Sequence, residues 1–333
     1  MELQLKNIGM IKEASVKIDG LTVIAGENDT GKSTIGKALY TIVKGIKIFD
    51  TEFKYVTAQN LGTSFLAIYL LLFKKIKLDN NTSIILKDKE DELIEFKGKD
   101  YVDNLEYTNG VSIKKNSIIE DIIFIESPLI WNLTDFFRDI AQIESQMNIK
   151  LDYPYLMKDL NFKLHIKSAS TGLDIKKQMT DLMGGEFKKD EMGRYYFDKN
   201  DQRIELVNTA TGIKTFGIFQ VLSQNNYLNK NTILVLDEPE VHLHPKWQLE
   251  MAKIIVELVK NGVKVVVNSH SPYMIEALKV YSDKEKIQNK TNFYLTEKNE
   301  DTISSSIKDV TTDLEPIFIK LAEPYQKLEL ELE

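Results

Sequence analysis

The 333-residue chain contains no cysteine. Disulfides and thiolate chemistry are excluded, and that usage fits a reducing cytoplasm. Histidine is scarce too, at four residues. His242 and His244 stand two apart in VHLHP, too few ligands for a zinc site when no thiolate can complete the set. No apolar run is long enough to cross a bilayer. The longest, FLAIYLLLF from Phe65 to Phe73, suits a buried helix instead. The opening MELQLKNIGMIKEASVKIDG alternates and carries charges throughout, so it is not a signal peptide. Excess positive charge is also lacking: the formal net charge of −7 argues against broad electrostatic binding of nucleic acid and leaves only a local basic groove as a route to it. The chain shows no internal repeat and no low-complexity tract. With 43% hydrophobic and 28% charged residues it is expected to be soluble and cytosolic, with one large domain or two smaller ones.

Against that background one stretch stands out. AGENDTGKST, Ala25 to Thr34, contains the full Gly26-x-x-x-x-Gly31-Lys32-Ser33 spacing of a P-loop. Such a loop wraps backbone N–H groups round phosphates, sets Lys32 on the β/γ oxygens and offers the Ser33 hydroxyl to Mg²⁺. The apolar GLTVIAG before it reads as a buried strand, and Ile35, Leu39, Ile42, Val43 and Ile46 after it recur at helical spacing. Strand, glycine loop, helix is the setting the motif needs. Gly26, Asn28, Asp29, Thr30, Gly31, Lys32, Ser33 and Thr34 are the candidate ATP contacts. The acids Glu27 and Asp29 are unexpected in a phosphate cradle, and they are tolerable if their side chains face outward while the amides face in.

Downstream, NTILVLDEPEV is a near-continuous apolar strand ending at Asp237 and Glu238. Ligands in open α/β sheets sit at the carboxyl ends of such strands. Asp237 is the candidate Mg²⁺ acid, and Glu238 the candidate that orients the attacking water, because phosphoryl transfer needs positioning and charge control. A third apolar strand, VKVVVNSHS, ends at His270, which can hydrogen-bond a γ-phosphate or the water. Between these, PKWQLEMAKIIVELVKNG is an amphipathic helix stopping at Gly262. GEFKKDEMGRYYFDKNDQRIELV reads as a hairpin with turns at Glu191-Met192-Gly193 and Lys199-Asn200-Asp201, and a helix begins near Gly212. Antiparallel edge strands are expected from about Ser83 to Val111, a buried strand in EDIIFIESP, and a broken acidic helix at the C-terminus.

The order of P-loop, long insertion, LVLDEPEVHLHP and VVNSHSP resembles the ABC-type head ATPases, and within them the SMC-type and OLD-like (overcoming-lysogenisation-defect) bacterial ATP-binding proteins. The resemblance covers about residues 1–48 and 184–290. It implies an α/β P-loop NTPase of ABC/SMC-head type: a mixed sheet flanked by helices, with an antiparallel β subdomain and a mainly helical insertion. The matching division is an N-terminal lobe over 1–128, an insertion over 129–183 and a C-terminal lobe over 184–333. The resemblance also implies a signature segment that caps the ATP of a second copy; TATGIKT matches it, with Thr211 where serine is usual, then Gly212 and Lys214. A metal-facing turn after the strand that precedes the insertion would fall on Glu126 or Ser127, where the glutamine usual in the family is missing.

A homodimer sandwiching ATP and Mg²⁺ is the implied working state. Its closure would drive a separate effector, a nuclease or toxin, in phage defence or DNA maintenance. No TOPRIM-like nuclease module is expected in Ser271 to Glu333. Competing readings are the ATPase subunit of a membrane transporter, which DEPEVHLHP does not resemble, a DNA-binding repair head, which the acidic balance disfavours, and a regulator that binds nucleotide but scarcely hydrolyses it.

Overall fold

The computed structural model describes residues 1–52, 58–73, 81–88, 91–97, 121–148, 154–299 and 304–330. The strand expectation over 98–111 lies outside them. The N-terminal alternation folds as a hairpin of β1 (Glu2–Ile8) and β2 (Ile11–Lys17), and the following β3 (Leu21–Gly26) is buried at every residue. Helix α1 (Lys32–Glu52) begins at the P-loop lysine and buries Ile35, Leu39, Ile42, Val43 and Ile46. The long apolar run lies in α2 (Ala58–Phe73), but only one side of it is covered. Phe65, Ile68, Tyr69 and Phe73 face in, while Leu70 and Leu71 are exposed, because a helix offers its neighbours a stripe and not its whole circumference. Gly45 permits the close α1–α2 approach, since a Cβ there would lie 2.1 Å from Phe65 Cδ1.

Strands β4 (Ser83–Asp88), β5 (Asp91–Lys97) and β6 (Asp121–Ile125) follow, then α3 (Thr134–Met147), α4 (Tyr155–His165) and α5 (Lys176–Met183). The polar alternation folds into β7 (Glu186–Lys189), β8 (Tyr195–Lys199) and β9 (Gln202–Glu205), a separate antiparallel sheet. Asn200 and Asp201 both take left-handed backbone, at φ 51° and 60°, which suits a tight turn whose twist matches the strands. The chain closes with α6 (Thr211–Gln224), β10 (Thr232–Asp237), α7 (Pro245–Lys260), β11 (Lys264–Ser269), α8 (Pro272–Lys284), β12 (Thr291–Lys298), β13 (Ser305–Asp309) and α9 (Glu315–Leu330).

The large sheet runs β5-β4-β1-β2-β13-β12-β3-β11-β10-β6. From β6 to β12 all neighbours pair in parallel, and beyond β12 the N-terminal hairpin and β4–β5 form an antiparallel wing. Alternate residues of the parallel strands serve opposite cores. Ile233 and Val235 of β10 pack on the α1–α2 side, whereas Leu234 and Leu236 pack with α6, α7 and α8. Both faces being covered, these strands read as unbroken apolar runs. Leu160, Leu164, Met179 and Met183 of α4 and α5 join the second core.

The C-terminal segment differs from the broken helix expected. Helix α9 is continuous with Pro324 inside it. Its first half docks through fully buried Ile317, with Phe318 and Leu321 packed on the core, while Tyr325 and Leu328 farther along are exposed. Proline removes one hydrogen bond from an exposed stretch of a helix already anchored upstream, so the helix carries on through it.

Charges are buried under β6. Lys163 of α4, 2% exposed, donates to Asp159 Oδ2 at 2.7 Å and to Ile122 O at 2.7 Å, and lies 3.2 Å from Asp121 Oδ1. Lys44 and Lys47 of α1 reach Asp159 and Asp121 respectively. The flanking Lys163 and Lys44 outweigh burial and hold the Asp159 carboxyl well below the usual carboxylate range. With a depressed folded value, this stabilisation is fully present above about pH 4 and is lost as pH falls into strong acid. Asp159→Ala takes the shared carboxylate from Lys44 and leaves Lys163 only the Asp121 carboxylate, and the expected loss is about 3–5 kcal/mol, read as a lowered urea midpoint at pH 7. A shift no larger than that of a surface Asp→Ala control would show that the network is dispensable.

Candidate functional site

The P-loop emerges from the end of β3 and is tied to the neighbouring β12. Gly26 has φ 151°, and a Cβ there would sit 2.3 Å from Thr296 Oγ1 and 2.5 Å from Thr296 O of β12. Thr30 Oγ1 donates to Glu27 O at 2.8 Å and contacts Thr296 Oγ1 at 2.6 Å, tying the loop's middle to the same strand. Asp29 adopts left-handed backbone at φ 60°, where glycine is costless and aspartate is among the residues that tolerate it. Its side chain is 71% exposed and paired with Lys298 at 2.8 Å. The acid inside the phosphate motif therefore faces out, as expected. Asn28 is also exposed, and the Thr34 N–H donates to Gly31 O at 3.0 Å where α1 begins.

Lys32 is 4% exposed, and its Nζ donates to Glu27 O at 2.6 Å and to Gly26 O at 3.0 Å. Burial pulls its pKa down, opposed by the charges of Glu238, Asp237, Glu240 and Glu27. Ser33 Oγ donates to Asp237 Oδ1 at 3.0 Å, and Asn268 Nδ2 donates to the same oxygen at 2.7 Å. Glu238, one residue on, takes left-handed backbone at φ 51°, and its N–H donates to Asn268 O at 2.9 Å. Its Oε1 lies 3.8 Å from Lys32 Nζ and 3.3 Å from His270 Nδ1. A non-glycine residue held at positive φ costs of order 1 kcal/mol and persists where its surroundings over-determine it, commonly at functional sites.

Glu126, just past β6, lies 3.9 Å from Lys37. Burial raises its pKa; Lys37 counters that, and Asp237 adds to it. Glu126, Asp237, Glu238 and His242 share a cavity of about 230 Å³ with Thr215 and Phe219 of α6. P-loop, β10 acids, Glu126 and His270 are thus one constellation at the carboxyl end of the parallel strands. The signature candidates lie apart from it. Thr211 opens α6 half-buried, and Gly212 packs under Trp247, whose ring a Cβ would meet at 3.0 Å. Lys214 turns inward: buried at 6% exposure, it donates from Nζ to Asn132 Oδ1 at 3.0 Å, and its pKa is lowered by that burial. His244 caps α7, its Nδ1 accepting from Lys246 N.

Sequence reasoning passed over Glu240 and Asn268, although DEPE and VVNSH both displayed them. It also missed Lys298 and Thr296, which no local pattern could have linked to the loop, because they come from β12 far along the chain.

The family model described as the AAA ATPase domain matches residues 52–275. The chain belongs to the AAA ATPase domain family. The matched stretch of the AAA ATPase domain begins after the P-loop, so the loop is recognised by its own spacing and setting. Endonuclease GajA of Bacillus cereus strain VD045 is 21% identical over 332 residues, a match taking in 82% of this chain and 55% of that protein; the chain spans about half the length of this curated relative. Among solved structures, the SMC head domain from Thermotoga maritima overlaps 93% of this chain and 98% of its own at a TM-score of 0.45 and 15% identity. The Smc head domain with an extended coiled coil bound to the C-terminal domain of ScpA, from Pyrococcus furiosus, overlaps 97% and 98% at 0.46 and 13%. Overlap this loose assigns nothing beyond the topology already described. The protein is an ATPase with a P-loop NTPase fold, and it binds nucleotide. Among the described residues, no helix of the AAA ATPase domain is long and apolar enough to cross a membrane.

Gly26→Ala tests whether the loop's seat on β12 matters. The new methyl must displace Thr296 backbone or the loop itself, at about 1–3 kcal/mol, and calorimetric titration should show ATP binding weakened roughly tenfold or more. Unchanged affinity would mean that the loop closes on phosphate without that contact.

Proposed function

We propose that this ATPase works as an ATP-sandwiched homodimer whose closing and opening gate a separate effector protein. The observation that carries the reading is the meeting, at the carboxyl end of the parallel strands, of Lys32, Ser33, Asp237, Glu238 and His270 from three strand ends. In this scheme Gly26, Asn28, Asp29, Thr30, Gly31 and Thr34 supply the backbone cradle, and Lys32 takes the β/γ oxygens in place of its own loop carbonyls. Glu238 orients the attacking water, and His270 contacts the γ-phosphate or that water.

Ser33 Oγ and Asp237 Oδ1 are the hard oxygen donors that Mg²⁺ takes with phosphate and water, so they would hold it, with Glu126 beside them. Bound there, the ion neutralises the charge that develops on the phosphoryl oxygens. The residues' own work is to fix the nucleotide and the water and to hold both against a buried lysine, where charge counts for more than it does in solvent.

The partner's nucleotide would meet Thr211 and the N-terminus of α6, whose free N–H groups suit an anion. Lys214 acts in that contact only after leaving Asn132; as placed, it braces α6 against the turn after β6. The effector is proposed to be a nuclease or toxin acting in phage defence or DNA maintenance within the cytoplasm. The relative named an endonuclease supports a nuclease link, since it extends well beyond the span it shares with this chain.

Glu238→Gln is the test: it keeps ATP binding while hydrolysis falls by about two orders of magnitude or more. Light scattering of that variant with Mg-ATP should show the mass doubling relative to nucleotide-free protein. ATP bound with no change in mass would remove the homodimer and leave an ATPase acting within one chain.

A further inference from the structure

Glu240 sits two residues past Glu238 and is 4% exposed. A carboxylate withdrawn from water needs partners, and it has them on one side only. Its Oε1 accepts from Ser269 Oγ at 2.7 Å, from the His270 N–H at 2.9 Å and from the Ser271 N–H at 3.2 Å. Oε2 is buried with no hydrogen-bond partner among the described residues. Three donors on one oxygen clamp the turn between β11 and α8, and that turn carries His270. The clamp is itself braced. Ser271 Oγ donates to Gln248 Oε1 of α7 at 2.6 Å, and Ser271 N also donates to Ser269 Oγ at 3.1 Å.

The imidazole then falls between two acids. His270 Nδ1 is 3.3 Å from Glu238 Oε1 and 3.6 Å from Glu240 Oε1, and it is a buried nitrogen without a well-aligned hydrogen bond among the described residues. Two carboxylates on one side favour the tautomer protonated at Nδ1, which leaves Nε2 as the nitrogen turned away from them. Glu238 must be free to attend to a water during hydrolysis. Glu240 is held in place by its three donors, so it can orient the histidine through the whole cycle.

We infer that Glu240 is the positioning residue for His270: it fixes the turn and the imidazole's orientation, and acts on ATP hydrolysis only through that histidine. The inference rests on the reading that this site hydrolyses ATP with Glu238 and His270. Its chemistry is that of a buried acid behind an active-site imidazole, whose removal slows turnover without touching substrate binding.

Steady-state ATPase kinetics should be measured for wild type, Glu240→Gln, Glu240→Ala, His270→Ala and the double variant Glu240→Gln/His270→Ala, each with a thermal melt. Glu240→Gln retains an acceptor oxygen for the three donors and loses only the charge. It should keep wild-type melting and the wild-type KM for ATP, with kcat lowered about tenfold or more. The double variant should be no slower than His270→Ala alone, because residues acting as one unit are not additive. If Glu240→Gln turns over like wild type while His270→Ala is slow, Glu240 only ties the turn and the inference fails. Multiplying effects in the double variant would also overturn it. If His270→Ala itself turns over like wild type, the underlying reading of the site is what fails. Glu240→Ala reports the structural share: a lowered melting temperature there beside an intact melt in Glu240→Gln separates folding from positioning.

Discussion

Everything at the site depends on the register of five parallel strands. Leu236 pairs with Ile125, Asp237 with Asn268, Ser269 with Ala25, and Thr296 with Gly26. Parallel pairing carries no side-chain identity, so this alignment comes from the two apolar faces, which must both be buried. A slip of one residue on β10 would exchange Ile233 and Val235 with Leu234 and Leu236 across the sheet and carry Asp237 away from Ser33. The hydrophobic pattern therefore sets the position of the chemistry to within a hydrogen bond.

Once the strand ends are aligned, the electrostatics follow from crowding. Lys32 is nearly sealed, and its ammonium is held by loop carbonyls and by the charge of the neighbouring carboxylates. Burial alone would favour a neutral amine; the acids resist that. Burial likewise raises Glu126, with Asp237 adding to it and Lys37 opposing. Anionic phosphate would suit the lysine, and a divalent cation would suit the acids.

Much of this was legible in the sequence. The strand–loop–helix setting of the P-loop, the apolar strand ending in Asp237 and Glu238, and the one ending at His270 were visible because a buried parallel strand has to be continuously apolar. Asn200-Asp201 announced its turn through residue type. The outward Asp29 was an expectation that the left-handed backbone and Lys298 explain. Less legible was whatever depends on distant pairing. Thr296 seals the P-loop from β12, and Lys214, placed in the signature segment by resemblance, is held inside by Asn132. The tail was read as broken because Pro324 is visible in the sequence while the docking of Ile317 is not. Glu240 was in plain view and was passed over, since its role comes from the turn it faces and not from its neighbours in sequence.

The lysines and aspartates beneath β6 carry a mechanical meaning. Lys44 and Lys47 project from the helix that leaves the P-loop, and their acids belong to α4 and β6. Turning that helix about its own axis, or sliding it by one residue, would separate charges in a medium that screens them poorly. The helix is in effect keyed to its bed, like a shaft with a pin through it. Rotation or sliding of α1 is therefore costly at α4 and at β6 together.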